Sequence, residues 1–169
     1  SQLLLGLLYA IYVCVVIWLE ILKTNNFWTK EIFNKTNSHY SGFRFRPFFK
    51  RDCISAYVCF KDSCRYYGDD IQLKEQINKL FGFGAIRHHK RSYRIGWRYN
   101  ANKDIIELFE YKYEYGIRFY ELVDTMKIGQ TKKLTVFSPR YIYFGKLLFP
   151  YFGGKYPAPQ NIIIKLQFC

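Results

Sequence analysis

The sequence predicts a mainly β chain: an antiparallel β-sandwich or barrel with one N-terminal transmembrane helix and one short helix. Three observations carry that expectation. Aromatic residues are 21 % of the 169 residues, with 16 Tyr and 16 Phe, a payload that fits the half-buried faces of sheets. Beyond the N-terminal segment, apolar side chains recur at period two in short runs punctuated by Gly, Asn and Asp. Residues 3–19 carry no charged side chain at all. The chain accordingly divides into a transmembrane helix (1–23), a linker (24–41) and one basic β-rich domain (42–169), a size that suits a single hydrophobic core.

The apolar run from Leu3 to Leu22 is interrupted only by Glu20. At 1.5 Å per residue, about 20 residues cross a hydrocarbon core of about 30 Å. Trp18 and Trp28 are placed to sit near one interface. The basic n-region and small-x-small site of a cleaved signal peptide are missing, so a retained anchor is expected. A pilin-like filament helix is the rival, but the acidic residue usual near its start is missing. Lys23, Lys30, Lys35, Arg44, Arg46, Lys50 and Arg51 follow the helix, which places the downstream domain in the cytoplasm. The five cysteines, Cys14, Cys53, Cys59, Cys64 and Cys169, then stay reduced and pack as small hydrophobes. The Asn34-Lys35-Thr36 sequon would need the opposite orientation.

The linker is rich in Asn, Thr and Lys, and Phe27, Trp28, Ile32 and Phe33 suit a short interfacial helix. Cys53–Phe60 alternates as a strand. A short helix is expected over Ile71–Leu80, capped by Asp69 or Asp70 and ended by Phe81-Gly82-Phe83-Gly84. Tyr93 to Asp124 reads as a three-stranded meander, with Tyr93, Ile95, Trp97 and Tyr99 on one face and Arg94, Gly96 and Arg98 on the other. Two more strands are expected around Lys133–Phe137 and Asn161–Phe168.

Charge narrows the ligand class. Lys and Arg total 26 against 13 Asp and Glu, a formal net charge of +13; such a field draws nucleotides, nucleic acid, acidic lipids or an acidic partner. The densest basic stretch runs from Arg87 to Arg98. Its candidate ligand-binding residues are Arg87, His88, His89, Lys90, Arg91, Arg94 and Arg98. Arg94 and Arg98 share a strand face with Gly96 between them, and a glycine there leaves room for a close-approaching ligand. Paired guanidinium groups suit phosphate or carboxylate. The competing outcome is cross-strand ion pairing with Glu107, Glu110 or Glu114; the spacing serves both equally. His88 and His89 are adjacent, so in a strand they point apart and chelate no common metal. No metal, cofactor or catalytic residue is assigned: P-loop, dinucleotide, HExxH and GxSxG patterns are all missing.

Several segments together resemble an uncharacterised bacterial family, chiefly of the Bacteroidota. They are Phe60-Lys61-Asp62-Ser63-Cys64-Arg65-Tyr66; Ile77-Asn78-Lys79-Leu80-Phe81-Gly82; His88-His89-Lys90 with Ser92, Arg94 and Gly96-Trp97-Arg98; and Pro150-Tyr151-Phe152-Gly153-Gly154 with Ala158-Pro159. The likeness covers about Ser38 to Phe168. It implies a compact β-rich domain and brings no activity and no catalytic residue.

The expected function is a membrane-anchored, non-enzymatic binding or sensor module for an anionic ligand, either a nucleotide signal or nucleic acid. Two alternatives are a structural subunit of a membrane complex or pilin-like filament, with homo-oligomers as partners, and a hydrolase using His88 or His89. The anchor generates the first prediction: the full chain stays with membranes through an alkaline carbonate wash, and release of the intact chain refutes the span.

Overall fold

Alternation makes the strands, and a shared core stacks them. The computed structural model describes residues 30–34, 36–41, 45–49, 52–67, 71–139 and 144–169. The transmembrane helix expected over 1–23 lies outside the described residues. Among the described residues no helix is long and apolar enough to cross a membrane.

Ten strands among the described residues form two sheets in which every pairing is antiparallel. The first sheet has the order β1-β10-β3-β8, built from β1 (Lys30–Asn34), β10 (Ile162–Phe168), β3 (Cys53–Phe60) and β8 (Thr131–Phe137). The second has the order β2-β9-β4-β5-β6-β7, built from β2 (Phe45–Phe49), β9 (Phe144–Leu148), β4 (Asn78–Gly84), β5 (Ser92–Asn100), β6 (Ile105–Glu114) and β7 (Ile117–Lys127). The one α-helix among the described residues, α1, is Ile71–Glu75, and a 3-10 turn spans Asp62–Cys64.

Both sheets turn one face to a common core. Ile54, Ala56, Val58 and Phe60 come from β3, Ile162, Ile164 and Leu166 from β10, and Leu134 and Val136 from β8; they meet Phe81, Phe83, Trp97, Tyr99, Ile106 and Leu108 of the second sheet. Phe60 and Trp97 lie 5.0 Å apart between ring centroids, and Tyr66 and Phe152 close the same aromatic cluster. The two antiparallel sheets face each other across this core, and among the described residues β1 and β8 are the outer strands of the first and β2 and β7 those of the second.

The meander and the strands at Cys53–Phe60, Thr131–Phe137 and Ile162–Phe168 match the sequence reading. Two segments differ. The expected interfacial helix in the linker is replaced over Lys30–Asn34 by β1, which pairs with β10. The expected helix over Ile71–Leu80 stops at Glu75, and Asn78–Gly84 is an interior strand between β9 and β5. A bulge explains the second difference. Register shifts between Lys79 and Gly82, so the adjacent residues Leu80 and Phe81 both reach the core, where each is fully buried. Two consecutive inward residues break the period of two, and the broken period resembles a helix.

Cys53 and Cys169 are exposed, Cys59 and Cys64 buried, and all four are free thiols. Burial pushes the Cys64 thiol up to about 12, so it is a protonated packing group rather than a nucleophile.

Trp97→Ala and Phe60→Ala are expected to cost roughly 3–5 kcal/mol each. Tyr57→Ala, at a side chain 44 % exposed, should change stability by less than about 0.5 kcal/mol. Urea denaturation of the three variants checks the assignment of the core.

Candidate anion-binding site

The outer face of the second sheet, away from the shared core, carries the unusual chemistry. Its cover is the segment after β9. Lys79 and Tyr151 exchange two backbone hydrogen bonds of 2.9 Å. Gly153 N donates to Asn78 Oδ1 at 2.8 Å, and Gly154 N to Gln76 Oε1 at 3.2 Å. Asn78 and Gln76 thereby hold the Pro150–Gly154 turn over the sheet. Between turn and sheet lies a recess of about 450 Å³, lined by Lys79, His88, His89, Ser92, Arg94, Tyr111, Tyr113 and Tyr151 among others.

Two cations meet there. Lys79 is buried, and its Nζ donates to the carbonyls of Ile77 at 2.9 Å and Gly153 at 2.5 Å, with the Tyr111 ring 4.9 Å away. Arg94 donates from Nη2 to Phe149 O at 3.0 Å. Its Nε is the one buried side-chain nitrogen or oxygen without a hydrogen-bond partner among the described residues. No carboxylate lines the recess. Burial, with Arg94 and Arg118 nearby, lowers the Lys79 ammonium to about 7. Burial lowers the Arg94 guanidinium to about 10. A buried cation usually has a paired anion, and among the described residues lining this recess there is none.

The seven residues singled out from the sequence separate into three groups. Arg94, His88 and His89 line the recess. Arg98 lies on the same sheet face but is neutralised: Nη2 contacts Glu107 Oε2 at 2.6 Å and Nε the same oxygen at 2.9 Å, with Asn100 bonding the other carboxylate oxygen at 2.7 Å. For Arg98 the ion-pair outcome therefore holds. Burial raises the Glu107 carboxyl, yet Asn100 and Arg98 outweigh burial and hold it below its ordinary range. Arg87, Lys90 and Arg91 lie in the loop between β4 and β5 and do not line the recess; Arg91 stacks its guanidinium over Tyr115 at 4.9 Å.

Two expectations need correction. The histidines occupy a turn rather than a strand, and their rings lie 4.2 Å apart instead of pointing to opposite faces. Gly96 is not open to a ligand: a Cβ there would meet Ile77 Cγ2 at 2.5 Å, so the glycine admits Ile77 instead. Gly84 plays the matching part for His88, whose Cβ would sit 2.8 Å from an added methyl. Burial, then His89, Arg94 and Lys146, lowers His88 to about 4, so at neutral pH it is an uncharged wall of the recess.

Sequence reasoning missed Lys79, Tyr111, Tyr113, Ser92 and Tyr151 as lining residues. Lys79 was hidden by the bulge that follows it. The tyrosines share a face in the alternation of β6, but nothing in that pattern separates a lining ring from a packed one.

A second cleft, of about 720 Å³, opens between the sheets at the β7 and β8 edges. Its walls include Ile95, Leu108, Val123, Leu134 and Val136; Arg94, Glu110 and Lys133 also border it, and its Lys132 and Asp124 are paired with each other. This cleft is the larger but contains two carboxylates, whereas the smaller recess contains none.

Arg94 and Arg98 should respond oppositely to the same substitution. Arg94→Met removes a buried cation with an unmet donor and should stabilise the ligand-free protein by about 1–3 kcal/mol. Arg98→Met strands the Glu107 carboxylate and should destabilise by a similar amount. Urea midpoints of the two variants give the signs; equal losses would make Arg94 an ordinary structural residue.

No family model matches the chain, and no curated protein or solved structure is similar to it, so the likeness to the bacterial β-rich pattern rests on its motifs alone.

Proposed function

We propose that this chain is a non-enzymatic binding module whose outer recess holds a small phosphate-bearing ligand of nucleotide type on Arg94. The observation that carries this reading is a guanidinium with a buried, unpartnered Nε in a recess without a carboxylate. A phosphate would fill the guanidinium fork and offset the repulsion between Arg94 and Lys79. The rings of Tyr113, Tyr151 and His89 offer apolar surface for a base. The volume, about 450 Å³, falls in the range of small-molecule sites. A nucleic-acid duplex suits this geometry less well, because backbone phosphates are met by cations on an accessible surface, and Arg94 lies in a recess.

The proposal keeps the uncharged N-terminal run as an anchor, with the domain on the cytoplasmic side; the lysines and arginines that follow the run support that orientation. Hydrolysis by His88 or His89 has less support. Among the described residues neither ring bonds to a carboxylate or hydroxyl that could orient it. A structural role draws on a different observation. Edge strand β7 exposes Ile117, Phe119, Leu122 and Val123, and such an edge is a surface for assembly.

Ligand binding should be coupled to Lys79. A bound anion raises the lysine pKa from about 7, so binding takes up a proton and affinity falls as pH rises above about 7. Without ligand the sign is the reverse. From about pH 7 to the ordinary lysine range near 10.4 the unfolded chain holds a proton that the folded one has released, so stability rises with pH across that window. Titration calorimetry with a mononucleotide between pH 7.5 and 9.5, where the phosphate is already fully ionised, should show affinity falling by at most about tenfold per pH unit. Arg94→Lys should weaken binding at every pH. A native mass spectrum of the gently purified chain separates the two readings: bound phosphate-bearing ligand supports the module, and a large ligand-free assembly supports the structural role.

A further inference from the structure

A second basic recess adjoins the first. It has a volume of about 540 Å³ and is lined by Gln76, Lys79, Tyr111, Arg118, Tyr120, Lys155 and Tyr156 among others. Lys79, Tyr111 and Gly154 line both recesses, so the two are halves of one groove across the outer sheet face. Register explains the continuity. Tyr111 of β6 lies opposite Arg94 of β5 on one side and Tyr120 of β7 on the other, and Arg118 lies opposite Tyr113. The row therefore runs from Arg94 across Tyr111 to Tyr120, and Arg118 lies two residues from Tyr120 along β7, on the same face.

The halves have the same kinds of parts. The inner has Arg94 with Tyr113 and Tyr151, and the outer has Arg118 with Tyr120 and Tyr156. Neither Arg118 nor Lys155 forms an ion pair among the described residues; each lies near an aromatic ring, Arg118 5.5 Å from Tyr120 and Lys155 5.5 Å from Tyr156. Arg98, the remaining arginine in the outer lining, is already satisfied by Glu107. Glu75 is the single acidic residue of that lining, and its backbone carbonyl faces Arg98 Nη1 at 3.5 Å.

We propose that the groove takes a dinucleotide, with one phosphate at Arg94, a second between Arg118 and Lys155, and the connecting portion lying along Lys79 and Tyr111. This rests on the nucleotide reading of the inner recess and extends it. A mononucleotide occupies one half, leaving the outer cations to solvent. A ligand with two phosphates and two bases meets both arginines and both sets of tyrosines at once, and its second contact is intramolecular.

The test uses the full chain in detergent, with adenosine monophosphate and the linear dinucleotide pApA as probes. The dinucleotide should bind at least tenfold tighter than the mononucleotide. Arg118→Gln and Lys155→Gln should each bring the affinity for the dinucleotide close to that for the mononucleotide, read as the ratio of the two affinities within each variant; both side chains are exposed, and a thermal melt checks that the variants remain folded. Equal affinity for the two probes, or an advantage that survives both substitutions, overturns the two-phosphate groove while Arg94-dependent mononucleotide binding still stands. Binding of neither probe overturns the groove together with the nucleotide reading.

Discussion

Between Lys79 and Gly82, strand β4 carries one residue more than β5 opposes, and the placement of both sheet faces depends on that extra residue. With regular alternation, Leu80 and Phe81 would point to opposite faces. The bulge turns both into the core and still leaves Lys79 level with Gly96 on the outer face. A bulge re-aims side chains in this way at the cost of a local break in the ladder. Here the break is bridged from the other edge: Tyr151 takes up the backbone bonds of Lys79, and Asn78, fully buried, bonds Gly153 N and the Tyr66 hydroxyl. The cover of the recess, its buried lysine and the aromatic core behind it are therefore one construction.

That construction leaves Lys79 and Arg94 on one recess without an acid. Desolvation disfavours the charged form of each and lowers both pKa values, and at Lys79 the nearby Arg94 and Arg118 add to it. Such an arrangement costs stability. Folding alone would be better served by a carboxylate or an apolar side chain at position 94. The core, whose aromatic rings meet tilted or edge-on, offsets this cost, and an anion entering the recess would return part of it. This balance separates the recess from the larger cleft between the sheets, whose lining brings the carboxylates of Glu110 and Asp124, the latter paired with Lys132, and mostly apolar walls.

Strand alternation was legible in the sequence wherever the period of two was intact. The β5–β7 meander, β3, β8 and β10 followed from it. It failed at β4, where the bulge imitates a helix, and at β1, whose partner β10 lies far along the chain and leaves no local trace. For the proposed site, the charge pattern pointed to β5, which brings Ser92 and Arg94 to the recess, but not to Lys79 on β4. Basic density drew attention to Arg87, Lys90 and Arg91, which are loop residues beside the site. Lys79, the cation most changed by its surroundings, sits among apolar neighbours in the sequence and so carried no charge signal. Burial is a tertiary property, and only the Pro150–Gly154 turn, brought in from a distant part of the chain, buries it.

Arg94 and Arg98 show what decides whether an arginine of this sheet face is paired with an acid or left without one. They lie on the same strand and face, four residues apart, with the same side chain. Their cross-strand partners differ: Arg98 lies opposite Glu107, and Arg94 opposite Tyr111. The other two acids that could have served Arg94 are taken elsewhere. Glu110 lies opposite Ile95, which faces the core side. Glu114 accepts a hydrogen bond from the Tyr93 hydroxyl, also on the core side, and lies 3.9 Å from Lys112. An acidic residue one ladder step away neutralises Arg98 and makes it part of the sheet. A tyrosine in the equivalent step leaves Arg94 charged, partly desolvated and directed at the recess. The difference is set by the register of β5 against β6. A shift of one residue would turn the aromatic face of β6 away from both arginines, so the register that packs the core is also the one that leaves Arg94 without an acid.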